Sequence, residues 1–209
     1  MINIFNKVKD LTLLQMERVI ANIESVDHVI NNNIDGDIVE IGVYKGGSIL
    51  SILLRLEEKN ILDKTIHLYD TFEGMTESSE LDIDLNNVKA KDAMEYYLCK
   101  CDLDSVINNI NSNTDYPKNL IKYHVGDIVK TNFIPDKISI LRLDTDWYES
   151  TKFELDNFFH KVSIGGVVII DDYGHWNGCK KAVDEFLLFH PEIQIKKIDY
   201  TGIKFIKNK

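Results

Sequence analysis

Four aspartates carry the strongest chemical signal in this sequence. Leu141-Arg-Leu-Asp-Thr-Asp-Trp-Tyr-Glu-Ser150 follows one apolar run, and Gly165-Gly-Val-Val-Ile-Ile-Asp-Asp-Tyr173 encloses another. If the two runs are neighbouring strands, Asp144, Asp146, Asp171 and Asp172 leave the sheet at one edge. Carboxylates gathered there repel one another and are driven toward protonation unless a cation joins them. A single aspartate in such a place often caps the next helix, but capping accounts poorly for four. Oxygen ligands without a His/Cys cluster favour magnesium, calcium or manganese over zinc. Of the six histidines only His175 falls near this edge, where it is expected as an exposed loop residue. Trp147 and Tyr148 could stack on a sugar ring or an adenine, or pack the core.

Three further pieces suggest a bound small molecule. Asp37-Ile-Val-Glu-Ile-Gly-Val-Tyr-Lys-Gly-Gly-Ser48 runs from a strand through glycines 42, 46 and 47 into a helix. Such a turn lets a ligand approach the backbone and the unpaired N–H groups of the new helix. Its spacing is not GxGxxG, which argues against a pyrophosphate cradle. Glu40, near the strand's end, would repel phosphate but suit an ammonium or sulfonium cation. His67-Leu-Tyr-Asp-Thr-Phe-Glu-Gly74 places Asp70 at the end of the next strand, where an acid accepts from ribose hydroxyls. Tyr123-His-Val-Gly-Asp127 puts Asp127 after a third strand, where an adenine would lie; Gly-Asp is also an ordinary turn.

The elements that must position these residues alternate along the chain. Strand-like runs are expected at Asp37–Ile41, Thr65–Tyr69, Leu120–Val125, Lys137–Leu143 and Gly166–Ile170. Helical spacing appears at Ser48–Leu56, Ala93–Ile110, Thr151–Phe159 and Gly178–Phe189. Cys99 and Cys101 then fall on a helix with a structural role. Alternation implies βαβ units and a doubly wound, mostly parallel sheet. Ile193–Ile198 and Ile203–Ile206, joined at Tyr200-Thr-Gly202, read as an antiparallel hairpin. Five parallel strands closed by a hairpin make seven, whereas a plain dinucleotide-binding sheet has six parallel strands. Lys7–Asn31 is one or two amphipathic helices, and polar Glu73–Lys91 is an insertion read as a substrate lid, with a disordered loop as the alternative.

The 209 residues suffice for one buried core and are few for two. With 44% hydrophobic and 28% charged residues, the composition is that of a soluble globular protein. The formal net charge of -10 and the lack of a basic cluster exclude phosphate-backbone binding, so nucleic acid is not an expected partner. No apolar run is long enough to span a membrane, and no secretory signal is visible, so a cytoplasmic enzyme is expected. Three cysteines without a CxxC pair support neither a disulfide framework nor structural zinc.

In order and spacing, DIVEIGVYKGGS, LYDTFEGM, LRLDTDWYEST and GGVVIIDDYGHWNGCKKAVDEF resemble the macrocin O-methyltransferase family over about residues 37–190. The resemblance implies a class I, Rossmann-like methyltransferase fold in a single domain, 1–209, with an N-terminal helical cap over 1–34 and a lid over 73–92. It implies S-adenosylmethionine as methyl donor, a divalent cation such as Mg2+, a sugar hydroxyl as acceptor and a homodimer. Asp144, Asp171 and Asp172 would be the metal ligands, and Asp146 the general base. Cofactor contacts would come from Glu40, Gly42, Tyr44, Gly46, Gly47, Ser48, Asp70, Thr71, Phe72, Gly126, Asp127 and Asp144. Family members usually read LDGD where this chain has Leu143-Asp-Thr-Asp146.

Three other functions compete. A catechol- or caffeoyl-type methyltransferase would share fold, cofactor and metal but act on an aromatic diol; the LDTDWYEST and DDYG wording favours the sugar enzymes. A nucleotide-dependent oxidoreductase is opposed by the hairpin, the missing GxGxxG and the lack of a Tyr-xxx-Lys pair. A non-catalytic glycan-binding protein on this fold would not need the aspartates.

Overall fold

A computed structural model describes residues 1–93 and 99–209. Its frame is set by short β-branched runs that pair side by side. Strands β1 (Asp37–Ile41), β2 (Ile66–Asp70), β3 (Ile121–Val125), β4 (Ile138–Leu143) and β5 (Val162–Ile170) pair in parallel. Two more, β6 (Lys196–Lys197) and β7 (Ile203–Ile206), add the antiparallel hairpin against β5. The seven strands lie in the order β3-β2-β1-β4-β5-β7-β6. Every residue of β4 is buried, as a parallel strand covered on both faces requires.

Helices cover both faces. On one side α1 (Ile2–Val8), α2 (Met16–Asn31), α3 (Gly47–Glu58) and α5 (Leu103–Asn113) enclose a core that includes Ile23, Val26, Leu50, Leu53 and Ile110. On the other, α6 (Tyr148–Phe158) and α7 (Asn177–Phe189) pack Trp147, Leu155, Phe158, Trp176 and Val183 against the sheet. A short α4 (Ala90–Ala93) closes the polar insertion. Among the described residues no helix is long and apolar enough to cross a membrane.

The helix expected over Ala93–Ile110 is corrected. Part of it lies outside the described residues, and α5 begins only at Leu103. The cause is local. Asp102 caps this helix by accepting from the Ser105 amide at 2.9 Å and its hydroxyl at 2.7 Å. Cys99 and Cys101 therefore precede the cap rather than sit on a helix. β6 keeps two residues of the expected six, which leaves a short lysine edge strand. β5 starts four residues before the expected Gly166, at Val162.

The insertion after β2 is fastened to the acid-bearing side of the sheet. Asp82, fully buried, accepts from the Ser79 amide at 2.6 Å and from the Tyr148 amide at 2.8 Å, the first residue of α6. The Ile83 carbonyl accepts from the Asn177 amide at 2.8 Å, at the start of α7. Gly178 permits this contact, because a Cβ there would stand 1.9 Å from Asp82 Oδ1.

Candidate active site

Register brings the acids together. Ile41 lies opposite Leu143, and Leu143 opposite Ile170, so Gly42, Asp144 and Asp171 leave three adjacent strands at one level. The ladder runs one step further, with the Asp144 amide donating to the Ile41 carbonyl at 2.8 Å and Asp171 to Leu143 at 3.0 Å. One carboxylate oxygen each from Asp144, Asp171 and Asp172 then lies within 4.8 Å of the others. Asp146 follows in a left-handed backbone conformation, φ 67°. Its Oδ2 accepts from the Trp176 indole at 3.1 Å.

Two arginines hold this cluster. Arg142, in the middle of β4 and without exposed surface, donates from Nε to Glu40 at 3.0 Å. Its Nη2 reaches Asp144 Oδ2 and Asp171 Oδ1, each at 2.7 Å. Arg18, from α2, donates to the other oxygen of Asp171. Four aspartates thus face two guanidinium groups, an excess of two negative charges before Glu40 is counted. Burial, and then the mutual repulsion of the acids, pushes Asp144 up to about 6 and Asp146 up to about 7. Asp172 is held well above the carboxylate range for the same reasons, and its Oδ2 is buried with no hydrogen-bond partner.

The glycine turn is built around Asp70. Its Oδ2 accepts from the amides of Val43 at 2.7 Å and Tyr44 at 3.1 Å, and its Oδ1 from Phe72 at 2.8 Å. Gly42 has φ +86° and Tyr44 φ 51°, so the turn bends sharply and leaves its inner face open. Between turn and acids lies a cavity of about 360 Å³, within the range of small-molecule sites.

Of the residues singled out in the sequence, Gly42, Tyr44, Ser48, Asp70, Thr71, Gly126, Asp144, Asp146, Asp171 and Asp172 line this cavity. Others do not. Glu40 is fully buried against Arg142, and burial raises its carboxyl to about 7. Gly46 packs against Ile110 and Gly47 against Leu11, while Phe72 belongs to the core. Asp127 borders a neighbouring hollow, where it accepts from the Val129 amide at 3.2 Å. His175 is corrected from exposed loop to half-buried cavity wall, where burial lowers its pKa. Trp147 lines the cavity but is core-packed, edge-on to Trp176 at 5.0 Å.

Some residues gave no sequence signal. Arg142 and Arg18 read as ordinary strand and helix arginines. Glu154, buried on α6, accepts from the Thr145 hydroxyl at 2.8 Å, and its second oxygen has no partner. Burial pushes its carboxyl up to about 8. Cys99 and the segment Thr12–Gln15 also line the cavity.

A family model described as macrocin O-methyltransferase matches residues 9–207, nearly the whole chain. The chain belongs to the macrocin O-methyltransferase family. It is 33% identical over 196 residues to demethyldecarbamoylnovobiocin O-methyltransferase of Streptomyces niveus, covering 92% of this chain and 74% of that one. A second relative, 8-demethyl-8-(2,3-dimethoxy-alpha-L-rhamnosyl)-tetracenomycin-C 4'-O-methyltransferase of Streptomyces olivaceus, is 28% identical over 191 residues. That match spans 85% of this chain and 68% of the relative. The solved structure of the O-methyltransferase NovP superposes with a TM-score of 0.85 at 29% identity, covering 95% of this chain and 83% of NovP. The protein is therefore an S-adenosylmethionine-dependent O-methyltransferase with the class I Rossmann-like fold.

Proposed function

We propose that this O-methyltransferase methylates a sugar hydroxyl, with a divalent cation on Asp144, Asp171 and Asp172 and with Asp146 as general base. The observation that carries the reading is the grouping of three carboxylate oxygens within 4.8 Å beside a buried, unpartnered Asp172 Oδ2. These residues fit a hard divalent cation: the donors are all oxygen, and its charge would offset part of the excess of carboxylates over guanidinium groups. Such a cation supplies Lewis acidity, lowering the pKa of an aliphatic hydroxyl that is scarcely ionised at neutral pH.

The chain's own residues do the rest. Asp146, beside the triad and fixed by Trp176, takes the hydroxyl proton as the oxygen attacks the methyl carbon and the carbon–sulfur bond breaks. Burial keeps its basicity near neutral pH, where a general base works best. Gly42, Tyr44, Ser48, Asp70, Thr71 and Gly126 line the same cavity, where they would hold the methyl donor. Asp70 contributes by fixing the turn through the Val43 and Tyr44 amides. Gly74, Met75 and Thr76, from the 73–92 insertion, line the same cavity and would serve as the lid.

A sugar acceptor is supported by the relative that methylates a rhamnosyl tetracenomycin. A glycoside without phosphate is favoured over a nucleotide sugar. Among the described lining residues the only lysine or arginine is Arg18, which is committed to Asp171 and Asp199, against five aspartates. The test is incubation with S-adenosylmethionine and a panel of neutral glycosides and nucleotide sugars, with MgCl2 or with chelator, followed by mass spectrometry. One methyl added to a neutral glycoside only when Mg2+ is present is the expected result. Methylation that survives chelation would remove the cation, and a catechol preference would replace the sugar.

A further inference from the structure

We infer that Arg18 occupies the cation's place on Asp171 and yields it when the cation binds, so that helix α2 sets the metal affinity of the active site. The inference rests on the cation reading above.

Asp171 is almost fully buried, and both of its carboxylate oxygens are already held by arginines. The two arginines are not equivalent. Arg142 is sealed inside the sheet and tied to Glu40 and Asp144 as well as to Asp171, so it has nowhere to go. Arg18 comes from a different element and borders the open cavity. It also has a second anion within reach, its Nε lying 3.0 Å from Asp199 Oδ2. That contact is an ion pair without a hydrogen bond, and both atoms are otherwise buried without a partner. A small rotation of the guanidinium away from Asp171 would complete it.

Asp199 is a fixed receiver. Its Oδ1 accepts from the amides of Thr201 at 3.0 Å and Gly202 at 2.7 Å in the β6–β7 turn. The same turn is pinned to the site through the Thr201 hydroxyl, which donates to the Asp171 carbonyl at 2.8 Å. Arg18 therefore has two seats on a rigid frame, and the one on Asp171 uses an oxygen of the carboxylate that a cation would need. Competition of this kind is a coupling free energy and is reciprocal: the cation loosens Arg18, and displacing Arg18 tightens the cation.

The chain's three arginines, Arg18, Arg55 and Arg142, make the test direct. Protein labelled with 15N-arginine is titrated with MgCl2, the guanidinium Nε–H signals are followed by NMR, and the Arg18 signal is assigned by its loss in Arg18→Gln. Calorimetry with MgCl2 is run on both proteins. The Arg18 signal should move in step with the binding isotherm while Arg55 stays still, and Arg18→Gln should bind Mg2+ about tenfold more tightly. Binding heat with an unmoved Arg18 signal, or equal affinity in both proteins, overturns the role of Arg18 and leaves the cation site standing. No heat in either protein overturns both. If Arg18→Gln does not fold, the signal that shifts in the wild-type protein is assigned with Arg18→Lys, and the wild-type titration decides.

Discussion

Gly42 sits so close to Asp144 that a Cβ on residue 42 would stand 2.0 Å from the Asp144 carbonyl oxygen. The two residues follow the ends of paired strands, β1 and β4, and they join the glycine turn to the acid cluster in one rigid contact. Gly42 also has φ +86°, a conformation that L side chains rarely adopt. Gly42→Ala therefore meets backbone that cannot give way, at a strained dihedral. The expected loss is about 3 kcal/mol of stability or more, seen as a fall in Tm, with loss of S-adenosylmethionine binding in calorimetry. A variant with wild-type Tm and affinity would show that the turn is softer than this contact implies.

Asp146→Asn keeps the side chain's shape and leaves an oxygen to accept from Trp176. It removes the proton acceptor. Turnover should fall by about 10²–10⁴-fold while S-adenosylmethionine affinity stays within a few fold. Single-turnover kinetics separates the two. Turnover within threefold of wild type would assign the base elsewhere.

The parallel strands and the convergence of the aspartates were legible in the sequence for the same reason: β-branched runs place whatever follows them at one sheet edge. What the runs cannot show is the level at which each strand stops. Only the register Ile41–Leu143–Ile170 aligns Gly42, Asp144 and Asp171. Glu40 shows the limit most clearly. One residue before the strand end, it looked like a cofactor ligand, yet strand alternation turns it into the interior, where Arg142 meets it. Arg18 and Glu154 were invisible because their partners lie 153 and 9 residues away, in contacts set by packing rather than by motif. The helix over Ala93–Ile110 was overextended because the Asp102–Ser105 cap lay inside an apparently periodic run.

Asp172 has one buried oxygen with no partner and three acidic neighbours that raise its pKa, burial being the larger cause. Asp172→Asn replaces a carboxyl that burial and its acidic neighbours already hold toward the neutral form, without changing its volume. In the absence of metal the variant should match wild type in stability to within about 1 kcal/mol, because a neutral amide replaces a carboxyl that is already held toward its neutral form. Saturating MgCl2 should raise the Tm of the wild-type protein and leave that of the variant unchanged, since only a ligand bound to the folded state stabilises it. Equal Mg2+-induced shifts in both would remove Asp172 from the ligand set.

Away from the site, His124 on β3 gives the fold a built-in sensitivity to acid. Its Nε2 is 2.9 Å from His67 Nδ1, and His67 Nε2 is 3.1 Å from Asp37. Its ring stacks on Tyr69, 4.2 Å between centroids, and on Phe133, at 5.2 Å. Burial, and then the neighbouring His67, lowers the His124 pKa from 6.5 to about 4. Between those values the unfolded chain carries a proton on this ring that the folded chain lacks, so the folded state loses stability as pH falls through that window. Above about pH 6.5 the ring is neutral in both states and contributes no pH dependence. Thermal unfolding from neutral pH down to the low end of this window should therefore show a steeper decline for wild type than for His124→Gln, which cannot take the proton. Parallel declines would mean that other groups carry the acid lability.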